Sequence, residues 1–305
     1  MVRAPVVRSR PAPGVVGLQR YIERLRAGVV DAVDDLTVRA HPSPESLHDL
    51  HRSMRRLRHA FALWEQLLPP GRRAALRPLD RRLTRLARLV GQVRDRDVML
   101  ALIEGSGVPR PPGADLPRVA RLRARLRDDG RTGRELLKVF LRSERDAGLF
   151  DELSRVLAYV PRRAAPGALR TILAEEGRVR RARVRSARRK ARRRPTAARL
   201  HRLRIRVRRL RHLSELVVHV DPSHPLPVSA TVARVQAELG RLHDLDIVID
   251  GLDPDTVSTA WADALREARR RLRGKLEDAL RTPGWFARSA PVRAPAGGAP
   301  GAREA

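Results

Sequence analysis

The stretch "HRLRIRVRRLRH", residues 201–212, alternates basic and apolar residues as far as Val207, the period of two that marks a strand with one wet face. It also carries six arginines and two histidines in twelve positions. Whether it is strand or helix decides what surface those charges form. An earlier stretch settles the matter. "HDLHRSMRRLRH" at 48–59 shares H-x-L at its start and R-R-L-R-H at its end, and it has no alternation. There Leu47, Leu50, Met54, Leu57, Phe61, Trp64 and Leu68 recur at 3-4-3-4-3-4 spacing, which predicts a packed helix over 45–68. At an offset of 153 the same frame yields Leu200, Leu203, Val207, Leu210, Ser214 and Val217, and predicts a helix over 196–219. The strand-like look comes from the extra Arg202 and Arg206, which have no basic counterpart in the first copy and are not expected to touch a ligand.

Opposite the apolar seam of the first copy, at 100° per residue, His48, Arg52, Arg55 and His59 fall within about 60° of one another. His51 and Arg58 flank them on one side and Arg56 on the other. The second copy sets out His201, Arg208 and His212, flanked by Arg204, Arg209 and Arg211. Asp49 is the only acid within 48–59, and 201–212 has none, so these edges lack local ion-pair partners. The same residue types at the same positions, bracketed by histidines, point to an anion site rather than a solvated face.

A second matched pair follows the first. "VGQVRDRDVML" (90–100) and "LGRLHDLDIVI" (239–249) share the frame G-x-x-[RH]-D-x-D at an offset of 149. Two pairs in the same order predict tandem halves of a duplicated domain. Pro- and Gly-rich breaks place the halves at about 15–158 and 159–282, with disordered tails at 1–14 and 283–305. Segments between breaks are too long for strands, so the predicted class is all-α: two four-helix-bundle-like halves around a central basic cavity. A helix over 72–104 adds Arg81, Arg85, Arg88 and Arg94, and one over 228–250 adds Arg241 and His243. The run 178–194 is basic at 11 of 17 positions, and its exposed face suits solvent and a polyanion equally. Asp95, Asp97, Asp244 and Asp246 are read as ion-pair partners that orient guanidiniums, in preference to Mg²⁺ ligands.

Composition narrows the function. The 305 residues are 42% apolar and 3% aromatic, so the core is Leu, Val and Ala and the chain is no disordered polycation. The net charge of +31 calls for a polyanionic partner, because self-repulsion on that scale destabilises a compact fold. Nearly all of it is Arg, partly a matter of G+C-rich codons, and guanidinium forks hold phosphate bidentately. The absence of Cys excludes disulfides and thiolate chemistry. No apolar run reaches the ~20 residues of a membrane span, and the N-terminus lacks a signal-peptide core, so a soluble cytoplasmic protein with no membrane partner is expected. Without a Gly-rich phosphate loop, H-E-x-x-H or G-x-S-x-G, neither catalytic residues, nor a cofactor, nor a metal is expected.

The frame H-x-x-[basic]-x-x-x-R-R-L-R, followed by G-x-x-R-D-x-D-V, resembles the CHAD domain family over about residues 15–282, and occurs twice. The resemblance implies paired four-helix bundles enclosing a basic cavity that binds inorganic polyphosphate and directs proteins to polyphosphate granules. The family's histidine falls on His48 and His201, and its first arginine on His51 (beside Arg52) and Arg204. Its paired arginines fall on Arg55 with Arg56 and Arg208 with Arg209, and its last on Arg58 and Arg211. The arginine of R-D-x-D is Arg94 in one half and His243 in the other. The E-x-E-x-K strand of family members fused to a triphosphatase-like domain is absent. The resulting expectation is a non-enzymatic polyphosphate binder, whose affinity rises below pH ~6.5 as histidines charge. A nucleic-acid-binding protein is the less favoured alternative, since aromatic stacking platforms are scarce. A polyphosphate-processing enzyme is the other.

Overall fold

The computed structural model describes residues 12–39, 45–105, 108–159, 167–226, 228–252, 258–282 and 285–286. Among these there are ten α-helices and no strand. The tails 1–11 and 287–305 lie outside the described residues. In chain order the helices are α1 (Pro13–Val38), α2 (Ser46–Leu67), α3 (Pro70–Ala75), α4 (Arg77–Glu104) and α5 (Leu116–Asp146). They continue with α6 (Leu149–Ala158), α7 (Ala168–Arg193), α8 (Ala197–Val220), α9 (Ala230–Gly251) and α10 (Thr259–Arg281).

The stretch 201–212 lies wholly within α8. Thr196 caps it, its hydroxyl accepting from the Arg199 amide, as Ser229 and Ser258 do for α9 and α10. The predicted 72–104 helix divides at Leu76 into α3 and α4. Pro78 lacks an amide hydrogen and restricts the residue before it, so it opens a helix and cannot sit inside one.

The long helices pack in two rings. α1, α2, α4 and α5 close one ring, with α5 returning to α1, and α7, α8, α9 and α10 close another, with α10 returning to α7. The rings meet where α8 touches α1 and α2, α9 touches α4, and α7 touches α2. The core does not divide as the rings do. Leu200, Leu203, Val207 and Leu210 of α8 join the second core, while Leu213, Leu216, Val217 and Val220 join the first. α8 therefore switches partners midway, which moves its seam off Ser214. That side chain is half-buried and donates to the Leu226 carbonyl at 2.5 Å. A third cluster ties the far end together through Met99 and Ile103 (α4), Val119 and Leu122 (α5), Val248 (α9) and Trp261 (α10). Pro13 opens α1, ahead of the boundary at 15 read from composition, and Trp285 is buried in the second core, beyond the one at 282.

Candidate functional site

α2 and α8 present their basic edges to each other where the rings meet. The imidazoles of His59 and His212 lie 5.1 Å apart, tilted by 59°. One turn back along each helix are Arg55 and Arg208, close enough that each raises the cost of charging the other. Arg204 of α8 and Arg94 of α4 crowd the same centre. At the far end His201 faces His243 of α9, with ring centroids 5.6 Å apart. Toward α7 the cluster opens into a cavity of about 330 Å³, lined by Arg55, Arg58, His59, Arg180, Arg183, Arg206 and Arg209 together with the acids Glu65, Asp80 and Glu176.

Positive charge here is largely uncompensated. Among the described residues the ion pairs of these helix faces are Arg56–Glu215 (3.1 Å), Arg211–Glu215 (2.8 Å) and Arg180–Glu176 (2.9 Å). Arg55, Arg58, Arg94, Arg204, Arg206, Arg208 and Arg209 have none. Burial, then Arg55, pushes Arg208 down to about 9, and burial with Arg94 and Arg204 brings Arg55 to about 10. Both remain cations at neutral pH, held against their own repulsion.

The histidines are the larger correction. Burial, then the neighbouring cations, lowers His51 to about 3, His59 to about 4 and His243 to about 4. His212 falls to about 2 through burial and then His59. In the free protein they are neutral at pH 6.5 and supply no charge there, contrary to the simple expectation from an ordinary histidine. His51 shows why in its bonding: the Arg55 guanidinium, which has only donors, bonds its Nε2, so that nitrogen must carry a lone pair. The ring lies against the motif glycine Gly91, where a Cβ would come into van der Waals contact with His51 Cε1.

The remaining predicted residues divide. His48 is exposed, and Arg52 is exposed beside Asp49. Arg241 is exposed and paired with Glu238 at 3.0 Å. Arg81, Arg85 and Arg88 lie about 120° to 180° around α4 from Arg94, and Arg85 instead stacks 5.1 Å from the Phe140 ring on α5. The D-x-D acids also divide. Asp97 pairs with Arg134 of α5 (2.5 Å) and Asp246 with Arg269 of α10 (2.7 Å), each tethering its helix to the next rather than aiming a cavity arginine. Asp95 and Asp244 have no ion pair within 4 Å, although both lower the cost of charging Arg204. Burial raises Asp244, with Arg204 and Arg94 opposing. Among the described residues no group of three or more His, Asp or Glu is arranged to hold a metal.

Arg206, expected to face away, lines the cavity, whereas Arg202 is exposed and donates to its own helix at the Ala198 carbonyl. Comparison of the two matched stretches could not reveal this. Position 206 matches Ser53, but α8 packs on the arginine-rich α7 whereas α2 packs on α1. Arg180 and Arg183, also missed, sit on the α7 face beside Glu176.

The whole chain has relatives among solved structures. A CHAD domain from the plant Ricinus communis superposes with a TM-score of 0.63 at 20% identity, covering 93% of this chain and 99% of that one. PptA from Streptomyces chartreusis gives 0.58 at 19% identity, covering 88% and 96%. At these identities the likeness shows the fold. No curated protein matches the sequence. None of the described helices is long and apolar enough to cross a membrane. The CHAD domain family model matches residues 20–253: the chain belongs to the CHAD domain family.

Proposed function

We propose that the protein binds inorganic polyphosphate, without catalysis, in the Arg/His cavity between α2, α7 and α8, and through it associates with polyphosphate granules in the cytoplasm. One observation carries this reading. Arg55, Arg94, Arg204 and Arg208 are crowded together with no carboxylate in ion-pair contact, and Asp95 and Asp244 offset only part of a cost that a bound multivalent anion would relieve. Polyphosphate has about one negative charge per phosphate and no bases, so it suits a cleft of guanidinium forks without exposed aromatic platforms. The same reading takes the two rings as copies of one unit, for which the matched Asp97–Arg134 and Asp246–Arg269 tethers speak.

The test is a competition at fixed salt. Labelled long-chain polyphosphate bound to the protein should survive an excess of duplex DNA or RNA. Displacement by nucleic acid at equal phosphate concentration would overturn the proposal. Release of orthophosphate on incubation with Mg²⁺ would overturn its non-catalytic part.

A further inference from the structure

The basic run 178–194 is only partly used by the cavity. Arg180 and Arg183 face it, but at 100° per residue Arg185, Arg188, Arg189 and Arg192 fall about 80° to 180° around α7 from Arg180. The buried Val184 and Ala191 lie between the two faces. These four arginines alone line a separate concavity of about 170 Å³.

Three observations set this face apart from a solvated one. The four arginines lack the local acid that partners many exposed arginines elsewhere, as in Arg178–Glu175, Arg266–Asp263 and Arg270–Glu267. Between Glu176 and Glu215 the chain has no acidic residue at all, and none of the four arginines has an ion pair. Arg188 is also fixed in place. It donates to the carbonyls of Leu280 (2.9 Å) and Thr282 (2.7 Å), and its guanidinium sits 4.7 Å from the Trp285 ring centroid. Arg185 lies 5.5 Å from the Phe286 ring. The rings of Trp285 and Phe286 thus hold two cations beside two free ones, so part of the ordering entropy of anion binding is already spent.

We propose that the outer face of α7, built on Arg185, Arg188, Arg189 and Arg192, is a second polyphosphate-binding site, distinct from the cavity. The span from Arg185 to Arg192 is about 10 Å, long enough to engage several successive phosphates. α7 is flanked by α8 and α10, so it offers a single strip of arginines along its length. The strip has no exposed large apolar residue to insert into a bilayer. With both sites filled, one molecule holds two stretches of polyphosphate on two sides of a single helix.

Trp285 reports on the outer site, since Trp64 and Trp261 are buried in other clusters. Tripolyphosphate titrated into the full chain should change indole emission, and the change should vanish in Trp285→Phe and in Arg185→Gln/Arg189→Gln/Arg192→Gln. The triple variant should bind at least one fewer ligand per chain by calorimetry. Its log–log salt dependence for long-chain polyphosphate should be shallower by about 2, for three lost phosphate contacts. Arg55→Gln/Arg208→Gln should keep the indole change while losing the cavity sites. Equal stoichiometry and salt slope in the wild type and the triple variant would overturn the proposal. So would duplex DNA outcompeting tripolyphosphate for the triple-sensitive site at matched salt, which assigns the face to nucleic acid. If Arg55→Gln/Arg208→Gln binds like the wild type, the cavity reading fails and the outer site stands.

Discussion

Replacing Arg208 by Gln should stabilise the ligand-free protein while weakening its hold on polyphosphate. Arg208 is surrounded by Arg55, Arg204, Arg209 and Arg94, has no ion pair, and is pushed from 12.5 to about 9. It is protonated in both folded and unfolded states at pH 7, so the whole depression acts as a destabilisation of the fold. A shift of that size corresponds to about 5 kcal/mol at face value. Residual solvent access at the cleft screens this to on the order of 2 kcal/mol. Gln removes the charge but also shortens a stem that packs against its neighbours, a loss of about 1 kcal/mol. The net gain is about 1 kcal/mol, or roughly 1.5 °C in Tm for a chain this long. Urea denaturation in a phosphate-free buffer of low ionic strength should show the gain as a higher midpoint with unchanged slope. The stabilisation that saturating polyphosphate confers should shrink in the same variant. Arg204→Gln is the control: Asp244 and Asp95 act on Arg204, so its removal should stabilise less. A lower urea midpoint for Arg208→Gln would refute the reading that the cleft is held against its own charge. An unchanged response to polyphosphate would refute its role in binding.

Other outcomes follow from the same geometry. His59 and His212 stay neutral in the fold to about 4 and about 2 but charge near 6.5 once unfolded. The unfolded chain therefore binds more protons, and ligand-free stability should fall as pH drops from 6.5 toward 4, a slope that His212→Gln should flatten. Bound polyphosphate should raise these pKa values, so calorimetry at about pH 5.5 in buffers of different ionisation enthalpy should show proton uptake on binding. Zero uptake would refute contact between phosphate and this histidine pair. Arg206→Gln should lower polyphosphate affinity several-fold while Arg202→Gln leaves it within twofold, measured by fluorescence anisotropy; equal effects would contradict the cavity lining. Contact with at least four cavity arginines should give a log–log salt slope of about −3 or steeper, and a flat response would refute an electrostatic mechanism.

Much of the fold is written in local spacing. The 3-4 pattern from Leu47 to Leu68 forces one face of α2 inward, and Leu47, Leu50, Met54, Leu57, Phe61 and Trp64 are all buried. The seam of α4 from Leu79 to Val93 behaves in the same way. The pairing of two similar basic edges also came from sequence, because like residues at like positions on two helices locate a shared kind of surface. What spacing cannot supply is which side of a helix meets which neighbour. Arg85 and Arg94 are nine residues apart on one helix and point to opposite sides, one to a phenylalanine and the other to the cleft.

The sequence by itself determined that "HRLRIRVRRLRH" is helical, that it has a twin, and that both carry histidine and arginine on one edge. These are properties of residue order along one helix, and a 100° turn per residue fixes them without reference to anything else. Only the tertiary structure decided that α8 leaves one core for another, that α7 brings Arg180 and Arg183 to face Arg206, and that the histidines are neutral. A pKa and a cavity wall depend on the groups that other helices bring within a few ångströms, and chain neighbours do not specify those.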